Sequence, residues 1–432
     1  MSGGLQDAAA QRLTPPQFED AVAATGLVLQ FSQPADAVLS TFFRQHRSGA
    51  RDRAFIAETA YAVLRRKRWL ERLAGAPPLQ PSARQLVLLA LSRLRGLSAR
   101  QLEPALAKGD AEWLAECRAR PELALSLAEQ ADLPDWVVAR LEPALGAERL
   151  LALARALNAP APLDLRANLL KATRDEVITR LAADRIAAEP CRFAPQGLRL
   201  KGHPALQKHP AFLDGSFEVQ DEGSQLLAHL VQPRRGELVV DFCAGAGGKT
   251  LALGALMRST GRLYAFDVSE KRLARLKPRA ARAGLSNVHP IAIASENDAR
   301  ARRLAGKADR VLVDAPCSCL GTLRRNPDLK WRQTETGVVE LCAKQAAILA
   351  AAARLVRPGG RLVYATCSIL AEENEAVVDA FLAAQPEFRR LPVREILAAQ
   401  GVALDTGEDL RLSPEVHGTD GFYAAVLERA NA

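Results

Sequence analysis

Hydrophobic and polar positions follow three different patterns along the chain. Up to about residue 142, apolar side chains recur at the spacing that is typical of amphipathic helices. Residues 163–219 combine short strand-like segments with one helix, which a capping box from Thr173 to Glu176 begins. From Glu237 onward, apolar strands alternate with helices. This order predicts an all-α region, a small α+β unit and an α/β region.

Two features suggest where these regions meet. The first pattern fades after about residue 142, and the proline-containing stretch 158–162 is typical of a linker. Asp221 is a candidate cap for a helix that Pro233 ends, and the third pattern begins there. We therefore expect a multidomain protein that is divided into 1–145, 146–232 and 233–432.

The third region has the pattern of a doubly wound sheet. Repeated strand–helix units imply parallel strands with helices on both faces, and ligands of such sheets bind beyond the carboxyl ends of the strands. The predicted strands are 238–243, 262–267, 288–293, 310–314 and 361–366, and the helices between and after them are 249–257, 270–283, 337–356 and 372–384.

Composition excludes several classes of protein. With 432 residues, 48% hydrophobic and 25% charged, the chain has the composition of a folded globular protein. The longest apolar run, 346–353, lies between Lys344 and Arg354 and is too short to cross a bilayer. Residues 1–10 show no secretory signal. We expect a cytoplasmic monomer that does not bind membranes.

The charge favours an anionic partner. The chain carries 58 basic and 49 acidic residues, for a net charge of +9. The excess is densest over 271–310, where eleven basic residues stand against three acidic ones. Nucleic acid is therefore the first partner to consider.

A glycine-rich turn follows the first strand of the α/β region, over residues 241–250. Its glycines let backbone N–H groups approach a ligand at a helix start. A phosphate-binding P-loop would need glycine where Cys243 stands, and a structural turn without a ligand is a further alternative. Asp267, at the end of the second strand, is placed to bind ribose hydroxyls. The pair indicates a dinucleotide or S-adenosylmethionine.

Two cysteines stand at neighbouring strand ends. The seven cysteines are irregularly spaced, which favours reduced thiols. Cys317 follows Asp314 at the end of one predicted strand, and Cys367 ends the next, so both thiols should share one crevice. Zinc bound by these two and Cys319 is an alternative, although the Cys-x-Cys spacing is poor and no histidine or fourth cysteine is near in sequence. A redox disulfide has no Cys-x-x-Cys to support it.

Four motifs, taken together, resemble the RsmB/NSUN family of RNA 5-methylcytosine methyltransferases. They are the glycine loop, Asp-Ala-Pro-Cys at 314–317, Asn-Pro-Asp-Leu-Lys-Trp at 326–331 and Ala-Thr-Cys-Ser at 365–368. The N-terminal region resembles the NusB-like domain of the bacterial RsmB branch, most clearly at 51–55, and the middle unit resembles a small RNA-recognition-like domain. The resemblance implies a Rossmann-like class I methyltransferase domain and 16S ribosomal RNA as substrate.

The resemblance also implies site residues. Asp267 would bind the ribose of S-adenosylmethionine, and Asp314 would lie between cofactor and base. Among Glu296, Asn297 and Asp298 we choose Asp298 as the adenine contact. The loop residues that would hold the cofactor are Cys243, Ala244, Gly245, Ala246, Gly247, Gly248 and Lys249. No metal is implied.

The implied chemistry is covalent. Carbon 5 of cytosine is a weak nucleophile, so a thiolate, here Cys367, first adds to carbon 6. A protonated Asp314 would donate to N3, although capping of the strand end is its alternative role. Cys317 would assist proton removal and release of Cys367. The target base must be turned out of its stack.

The loop after the second motif has the charge and aromatic surface to hold flanking nucleotides, unless it is only a surface loop with a packed Trp. Its candidate RNA contacts are Arg324, Arg325, Lys330 and Trp331. Two departures from the family pattern are Gly245-Ala246 in place of Ala-Pro and Cys319 in place of glycine. A non-catalytic RNA-binding or ribosome-assembly factor that kept the fold is the alternative function.

Overall fold

A computed structural model describes residues 13–75, 80–120 and 124–431. The chain divides into two compact units. One combines the chain up to Pro160 with the segment Thr322–Thr334, and the other combines Ala161–Gly321 with Glu335–Ala432. The stretch 1–10, on which the argument against a secretory signal rests, lies outside the described residues.

The first unit is helical, as the sequence predicts. Its core packs Phe18, Ile56, Leu70 and Leu88, all essentially fully buried. The last helix is kinked at Gly146, which has a φ of 70°. Whether the unit is NusB-like stays a prediction. The helices are α1 (Pro15–Val28), α2 (Ala35–Gln45), α3 (Ala50–Arg65), α4 (Lys67–Ala74), α5 (Ala83–Leu89), α6 (Ala99–Leu102), α7 (Asp110–Ala119), α8 (Leu127–Ala131) and α9 (Asp135–Leu157).

The second unit begins with a small antiparallel sheet in the order β2-β3-β1-β4. The predicted capping box is present, because Thr173 Oγ1 accepts from the Glu176 N–H and the Glu176 carboxylate accepts from the Thr173 N–H. This part contains β1 (Leu163–Ala167), α10 (Arg174–Ala183), β2 (Ala188–Pro190), β3 (Gly197–Leu200), α11 (Pro210–Leu213) and β4 (Phe217–Val219).

The large sheet of the second unit has the order β10-β12-β9-β8-β5-β6-β7, with β11 paired to β12. Strands β5 to β9 are parallel, and each overlaps a predicted strand. The sequence did not predict the C-terminal strands, of which β12 is antiparallel to β9 and β10. The elements are α12 (Glu222–Val231), β5 (Leu238–Asp241), α13 (Gly248–Leu256), β6 (Arg262–Asp267), α14 (Glu270–Leu273), α15 (Leu276–Ala283), β7 (Val288–Ala292), α16 (Ala299–Arg302), β8 (Ala308–Asp314), α17 (Leu329–Arg332), α18 (Glu335–Ala353), β9 (Val356–Thr366), α19 (Glu375–Ala384), β10 (Phe388–Leu391), α20 (Val393–Ala398), β11 (Leu410–Leu412), α21 (Pro414–His417) and β12 (Phe422–Arg429).

Helix α18 is long and apolar enough, by length and composition, to cross a membrane. It carries Glu340 and Lys344, and it packs on β8 and β9. Its buried face includes Ile348 and Leu349. These contacts are those of a core helix that covers one face of the sheet.

The segment Thr322–Thr334, which includes α17, packs into the helical unit. Lys330 is fully buried, and its ammonium donates to the Arg65 carbonyl at 3.0 Å and to Asn158 Oδ1 at 2.7 Å. The Trp331 indole N–H donates to the Leu64 carbonyl at 3.0 Å. Burial lowers the pKa of Lys330 to about 7, against the opposing effect of nearby Asp132.

This packing corrects the expectation of an exposed RNA-binding loop. Arg324 is 5% exposed and Lys330 is fully buried, so neither side chain forms an open surface. The ring of Trp331 is half-buried against the helical core, and Arg325 is half-buried as well. The packed-Trp alternative describes most of this loop.

The basic run over 65–68 also has structural partners. Arg66 pairs with Asp132 at 2.8 Å, and Arg68 donates to the Leu133 carbonyl at 2.8 Å. Lys67 pairs with Glu71, one helical turn away. Arg66, Lys67 and Arg68 are therefore engaged by neighbouring groups of the helical unit.

The buried ammonium generates a stability prediction. Lys330→Ala leaves the Arg65 carbonyl and the Asn158 amide oxygen with one less donor and removes a positive charge near buried Asp132, so we expect the helical unit to lose about 2–4 kcal/mol. All four tryptophans (Trp69, Trp113, Trp136 and Trp331) belong to this unit. Tryptophan fluorescence during urea unfolding therefore reports its stability.

The matched control is Lys108→Ala, which removes an exposed lysine from the same unit. We expect this variant to stay within about 0.5 kcal/mol of wild type. Equal stability of the two variants would contradict the structural role of Lys330.

Candidate active site

Four carboxyl ends of parallel strands meet at one edge of the large sheet. Strands β5, β6, β8 and β9 end there at Asp241, Asp267, Asp314 and Thr366. The glycine turn, Asp267 and the two cysteine motifs lie at these ends or just after them, whereas the motif at 326–331 lies in the helical unit. The strand order therefore gathers the predicted residues at a single edge.

The glycine-rich turn is a tight connection between β5 and α13. The Ala244 N–H donates to the Phe266 carbonyl and the Gly247 N–H to the Ala244 carbonyl, both at 2.8 Å. Gly247 has a φ of 86°, and a β-carbon there would come within 2.2 Å of Leu276. Gly245 has a φ of 56°, which glycine adopts readily. This departure from the family pattern thus suits the turn's backbone.

Asp267 is buried beside this turn. Its Oδ2 accepts the Gly245 N–H at 2.7 Å, and its Oδ1 accepts the Ser269 N–H at 2.7 Å. The exposed Arg272 guanidinium donates to both oxygens, at 3.1 and 3.3 Å. The carboxylate is fixed at the position where the sequence predicts a ribose contact, and a ribose hydroxyl would compete with Arg272 for it.

Asp241 was named in the motif but not predicted as a site residue. It is fully buried, and its Oδ2 accepts the Thr250 hydroxyl at 2.7 Å. Its Oδ1 has no hydrogen-bond partner among the described residues. Burial, opposed by the Thr250 hydrogen bond, raises the pKa of Asp241 to about 7. A buried carboxylate with an open oxygen is complementary to a cationic ligand.

Lys249 and Asp314 form a close ion pair, with Nζ 2.6 Å from Oδ2. Burial opposes the charge of Lys249, but attraction to Asp314 outweighs it and raises the pKa of the lysine. In this structure, Lys249 therefore occupies one oxygen of the carboxyl group to which the sequence analysis assigns contact with the base.

The structure brings three thiols together. Cys317 Sγ lies 3.4 Å from Cys367 Sγ and 4.0 Å from Cys319 Sγ. Hydrogen bonds from Cys317 and Cys367 lower the pKa of Cys319, with help from the charge of Lys249 and against the effect of burial. The same sharing raises the pKa of Cys317. The pKa of Cys367 is raised as well, so these shifts favour ionisation of Cys319 over that of the other two thiols.

Cys319 occupies an unusual backbone conformation. Its φ is 58°, in the left-handed region that glycine prefers. A side chain costs about 1–2 kcal/mol there. Its Sγ lies 3.4 Å from the Cys317 carbonyl oxygen, so the loop turns back on itself. The thiol is held beside the other two despite this local preference.

A buried carboxylate, which the sequence analysis did not single out, joins the two cysteine loops. Glu373 accepts the Ser318 N–H at 2.8 Å and both the Ser318 and Ser368 hydroxyls. Gln345 Nε2 donates to it at 2.9 Å. Ser318 lies between two of the thiols, and Ser368 follows Cys367. The only signal for this role is the acidic pair at 372–373, shortly after the last motif.

The carboxylate of Asp298 accepts hydrogen bonds from residues of its own loop. It caps α16, accepts the Ala294 and Arg300 N–H groups at 2.8 Å and pairs with the Arg300 side chain. Hydrogen bonds from Arg300 lower the pKa of Asp298 well below its usual range. Asn297 accepts from Arg354 at 2.7 Å and donates to Glu296. An adenine contact by Asp298 stays a prediction.

Family models match the chain over two regions. A model described as 16S rRNA methyltransferase RsmB/F matches residues 228–428, which include the glycine turn, the thiol cluster and Glu373. A model described as the ferredoxin-like domain of RsmF/B-like methyltransferases matches residues 133–207. The second match begins just before α9 and ends beyond β3.

Two curated relatives resemble nearly the whole chain. The probable ribosomal RNA small subunit methyltransferase B of Synechocystis sp. is 34% identical, over 91% of this chain and 95% of that protein. The ribosomal RNA small subunit methyltransferase B of Sodalis glossinidius is 31% identical, over 95% of this chain and 98% of that protein.

Solved structures share the fold. The crystal structure of PH0851 aligns with a TM-score of 0.80 and 29% identity, over 97% of this chain and all of that one. NSun6 from Pyrococcus horikoshii, solved with SFG, aligns with a TM-score of 0.60 and 22% identity, over 69% of this chain and 99% of that one. The second likeness concerns the fold alone.

The buried Asp241 generates a pH prediction. Its carboxyl binds a proton more tightly in the folded chain than in the unfolded one, so its contribution to stability falls as pH rises from about 4 to about 7. Asp241→Asn removes this fall. We expect the variant to gain about 2–3 kcal/mol on wild type between pH 5 and pH 8. Urea unfolding followed by circular dichroism, with tryptophan fluorescence separating the helical unit, measures the difference; a constant difference would contradict the raised pKa.

Glu373 generates a second prediction. Glu373→Gln removes one of two acceptor oxygens on which two serines and an amide converge, so the thiol loops should separate. We expect at least about a tenfold fall in kcat for RNA methylation, which corresponds to 1.4 kcal/mol, with the KM for S-adenosylmethionine unchanged. The pH profile of iodoacetamide alkylation at Cys367 should shift as well. The exposed Glu395→Gln is the control, and an unchanged alkylation profile would rule out positioning by Glu373.

Proposed function

The chain belongs to the RsmB/F family of S-adenosylmethionine-dependent rRNA methyltransferases, and from this premise we propose that it methylates carbon 5 of a cytosine in 16S rRNA through a covalent cysteine–cytosine intermediate. The observation that carries the proposal is the 3.4 Å separation of the Cys317 and Cys367 sulfurs, at the strand ends that also hold Asp314. Two thiols and an acid at one ligand-binding edge match the needs of this reaction.

The residues present fit S-adenosylmethionine. Gly247 leaves room where a β-carbon would clash, Asp267 is fixed for a ribose, and the open oxygen of buried Asp241 is complementary to positive charge. We assign the cofactor to the loop 243–249 together with Asp267, and we keep Asp298 for the adenine. When bound, S-adenosylmethionine supplies an electrophilic methyl group to carbon 5.

Cys367 is the proposed nucleophile. Its sulfur is half-buried at the end of β9 and shares hydrogen bonds with the other thiols. The Cys367 thiol passes its proton to Cys319, whose sulfur lies within 4.8 Å, or to solvent in variants that lack Cys319, which leaves the charge on Cys367. The Cys367 thiolate then forms a bond to carbon 6 of cytosine, and the ring's electron pair makes carbon 5 nucleophilic.

Asp314 and Lys249 receive the charge that develops on the ring. Addition at carbon 6 increases the electron density at N3, where a donor favours the reaction. The Lys249 ammonium, 2.6 Å from Asp314 Oδ2, gives a proton to Asp314, and Asp314 passes it to N3, which leaves Lys249 as a neutral amine. The proton returns to Lys249 when the aromatic ring is restored.

Cys317 completes the cycle. Its thiol gives a proton to solvent, and the resulting thiolate, whose sulfur lies 3.4 Å from that of Cys367, accepts the carbon 5 proton in the same crevice. Removal of that proton restores the double bond and expels Cys367 as a thiolate. Loss of Cys317 should therefore trap the protein on its RNA.

The charged surface supports an RNA partner. Lys271, Arg275 and Lys277 on and beside α14 and α15 are exposed, and none of the three forms an ion pair with another described residue. They offer positive charge for phosphates, and Arg325 stays a separate proposed contact to RNA. A flexible or single-stranded segment presents a cytosine to the crevice at the lowest cost in base unstacking.

We also propose that the protein acts as a cytoplasmic monomer.

The non-catalytic alternative predicts a different behaviour. A factor that only binds RNA needs neither a paired set of thiols nor a fixed ribose carboxylate. Asp267, Asp314, Cys317 and Cys367 are all present and positioned at one edge of the sheet. This arrangement favours an enzyme over the alternative.

The covalent trap tests the proposal. Cys317→Ala is incubated with S-adenosylmethionine and small-subunit RNA and is then run on a denaturing gel. We expect a nuclease-sensitive band of reduced mobility, because Cys367 cannot leave without proton removal. Sequencing of the attached RNA identifies the cytosine.

Cys317→Ala/Cys367→Ala is the control and should give no such band, and wild type should transfer methyl groups without accumulating it. If no RNA pool gives a band and wild type also transfers no methyl group, the non-catalytic function replaces our proposal.

A further inference from the structure

The three-sulfur cluster of Cys317, Cys319 and Cys367 has the spacing of a metal site. Its Sγ atoms all lie within 4.8 Å of one another, with separations of 3.4 and 4.0 Å from Cys317 to the other two. Sulfurs bound to one zinc ion at about 2.3 Å lie about 3.8 Å apart in a tetrahedral site and about 4.0 Å apart in a trigonal one. One ion could therefore contact all three with small side-chain movements.

We propose that Cys317, Cys319 and Cys367 form a binding site for a thiophilic d10 cation, of which Zn²⁺ is the representative. Soft sulfur ligands select this class of ion over Mg²⁺ and Ca²⁺. Three protein ligands with one exchangeable position form a coordination set that zinc adopts. The ion binds reversibly at the same edge of the sheet as the proposed reaction.

The fold removes the sequence argument against such a site. Cys-x-Cys spacing is poor when both residues lie on an extended chain, because their thiols then point the same way but the third ligand is remote. Here the left-handed Cys319 turns the loop back on Cys317, and β9 supplies Cys367 from the neighbouring strand. The strand order of the sheet therefore brings the three cysteine ligands together, although their spacing in the sequence does not.

The cluster is also held in place and accessible. Glu373 binds the Ser318 and Ser368 hydroxyls, which flank the three cysteines, so the loops need little ordering on binding. Cys319 and Cys367 are half-buried, which leaves a path for an ion. Three sulfur–metal bonds form, and the protons of the remaining thiols pass to solvent.

Metal binding has a consequence for catalysis. An ion on Cys367 occupies the sulfur that must add to carbon 6, so Zn²⁺ should block formation of the covalent adduct. This consequence rests on the proposed function, whereas ion binding itself does not.

Cadmium titration of the full, reduced, metal-free chain tests the site. Cd²⁺ is the probe, because each thiolate that binds it adds to an ultraviolet charge-transfer band. We expect one tight site per chain in wild type, with band intensity for three thiolates and release of protons on binding. Cys319→Gly should show the intensity of two thiolates and an affinity lower by about tenfold or more.

Cys342→Ala is the matched control, because it removes a thiol of the same unit that lies outside the cluster. It should bind Cd²⁺ as wild type does. Cys319→Gly places glycine at a φ of 58°, so it should fold at least as stably, which circular dichroism checks. Equal Cd²⁺ binding by Cys319→Gly and wild type, or no saturable binding by either, would overturn the proposal.

A second readout separates the two proposals. Two variants are compared, Cys317→Ala and Cys317→Ala/Cys319→Gly. Zn²⁺ is added to each before S-adenosylmethionine and RNA, and the intensity of its covalent-adduct band is compared with that of the same variant without metal. We expect stronger inhibition where Cys319 is present. If no variant forms the adduct but wild type still binds Cd²⁺ with three thiolates, the proposed function fails and the metal site stands.

Discussion

The carboxylate of Glu373 is the contact on which the geometry of the site depends. It is fully buried, and the hydroxyls of Ser318 and Ser368 both donate to it, together with the Ser318 N–H. Parallel pairing of β8 and β9 brings the two loops to one edge. Beyond that edge, the hydrogen bonds to Glu373 join the loops that carry Cys317 and Cys367, together with the Gly321 N–H, which donates to the Cys367 carbonyl at 2.9 Å. A site of interacting thiols therefore depends on a residue that bears no thiol.

The parallel part of the sheet was predictable because its signals are local and repeated. Each strand from β5 to β9 is a short apolar run that a helix follows, and the family motifs stand at the strand ends. Strands β10 to β12 lack this rhythm, since an antiparallel addition at a sheet edge needs no crossover helix. Their pairing with β9 depends on contacts between residues far apart in the chain, which periodicity does not record.

The site shows the same division. Asp267, Asp314, Cys317 and Cys367 were predicted because each ends a strand or closely follows one. The exposure of Lys330 was predicted wrongly, because the sequence Lys-Trp does not show whether the lysine faces RNA or packs into a protein core. What decides the matter is the set of acceptors around its ammonium, the Arg65 carbonyl and Asn158 Oδ1, and these come from distant helices. Sequence alone gives the residue type, whereas the partner set depends on tertiary structure.

The thiol cluster places two kinds of chemistry in opposition. A nucleophilic sulfur must be partly ionised, accessible and close to a second thiol that restores it, and the same properties make a good ligand for a soft cation. Cys317 and Cys367 alone would provide only two sulfur ligands for such a cation. Cys319, held at a φ of 58°, supplies the third. If both proposals hold, this residue makes the site's activity sensitive to free metal without contacting the base itself, and glycine at this position would remove that sensitivity.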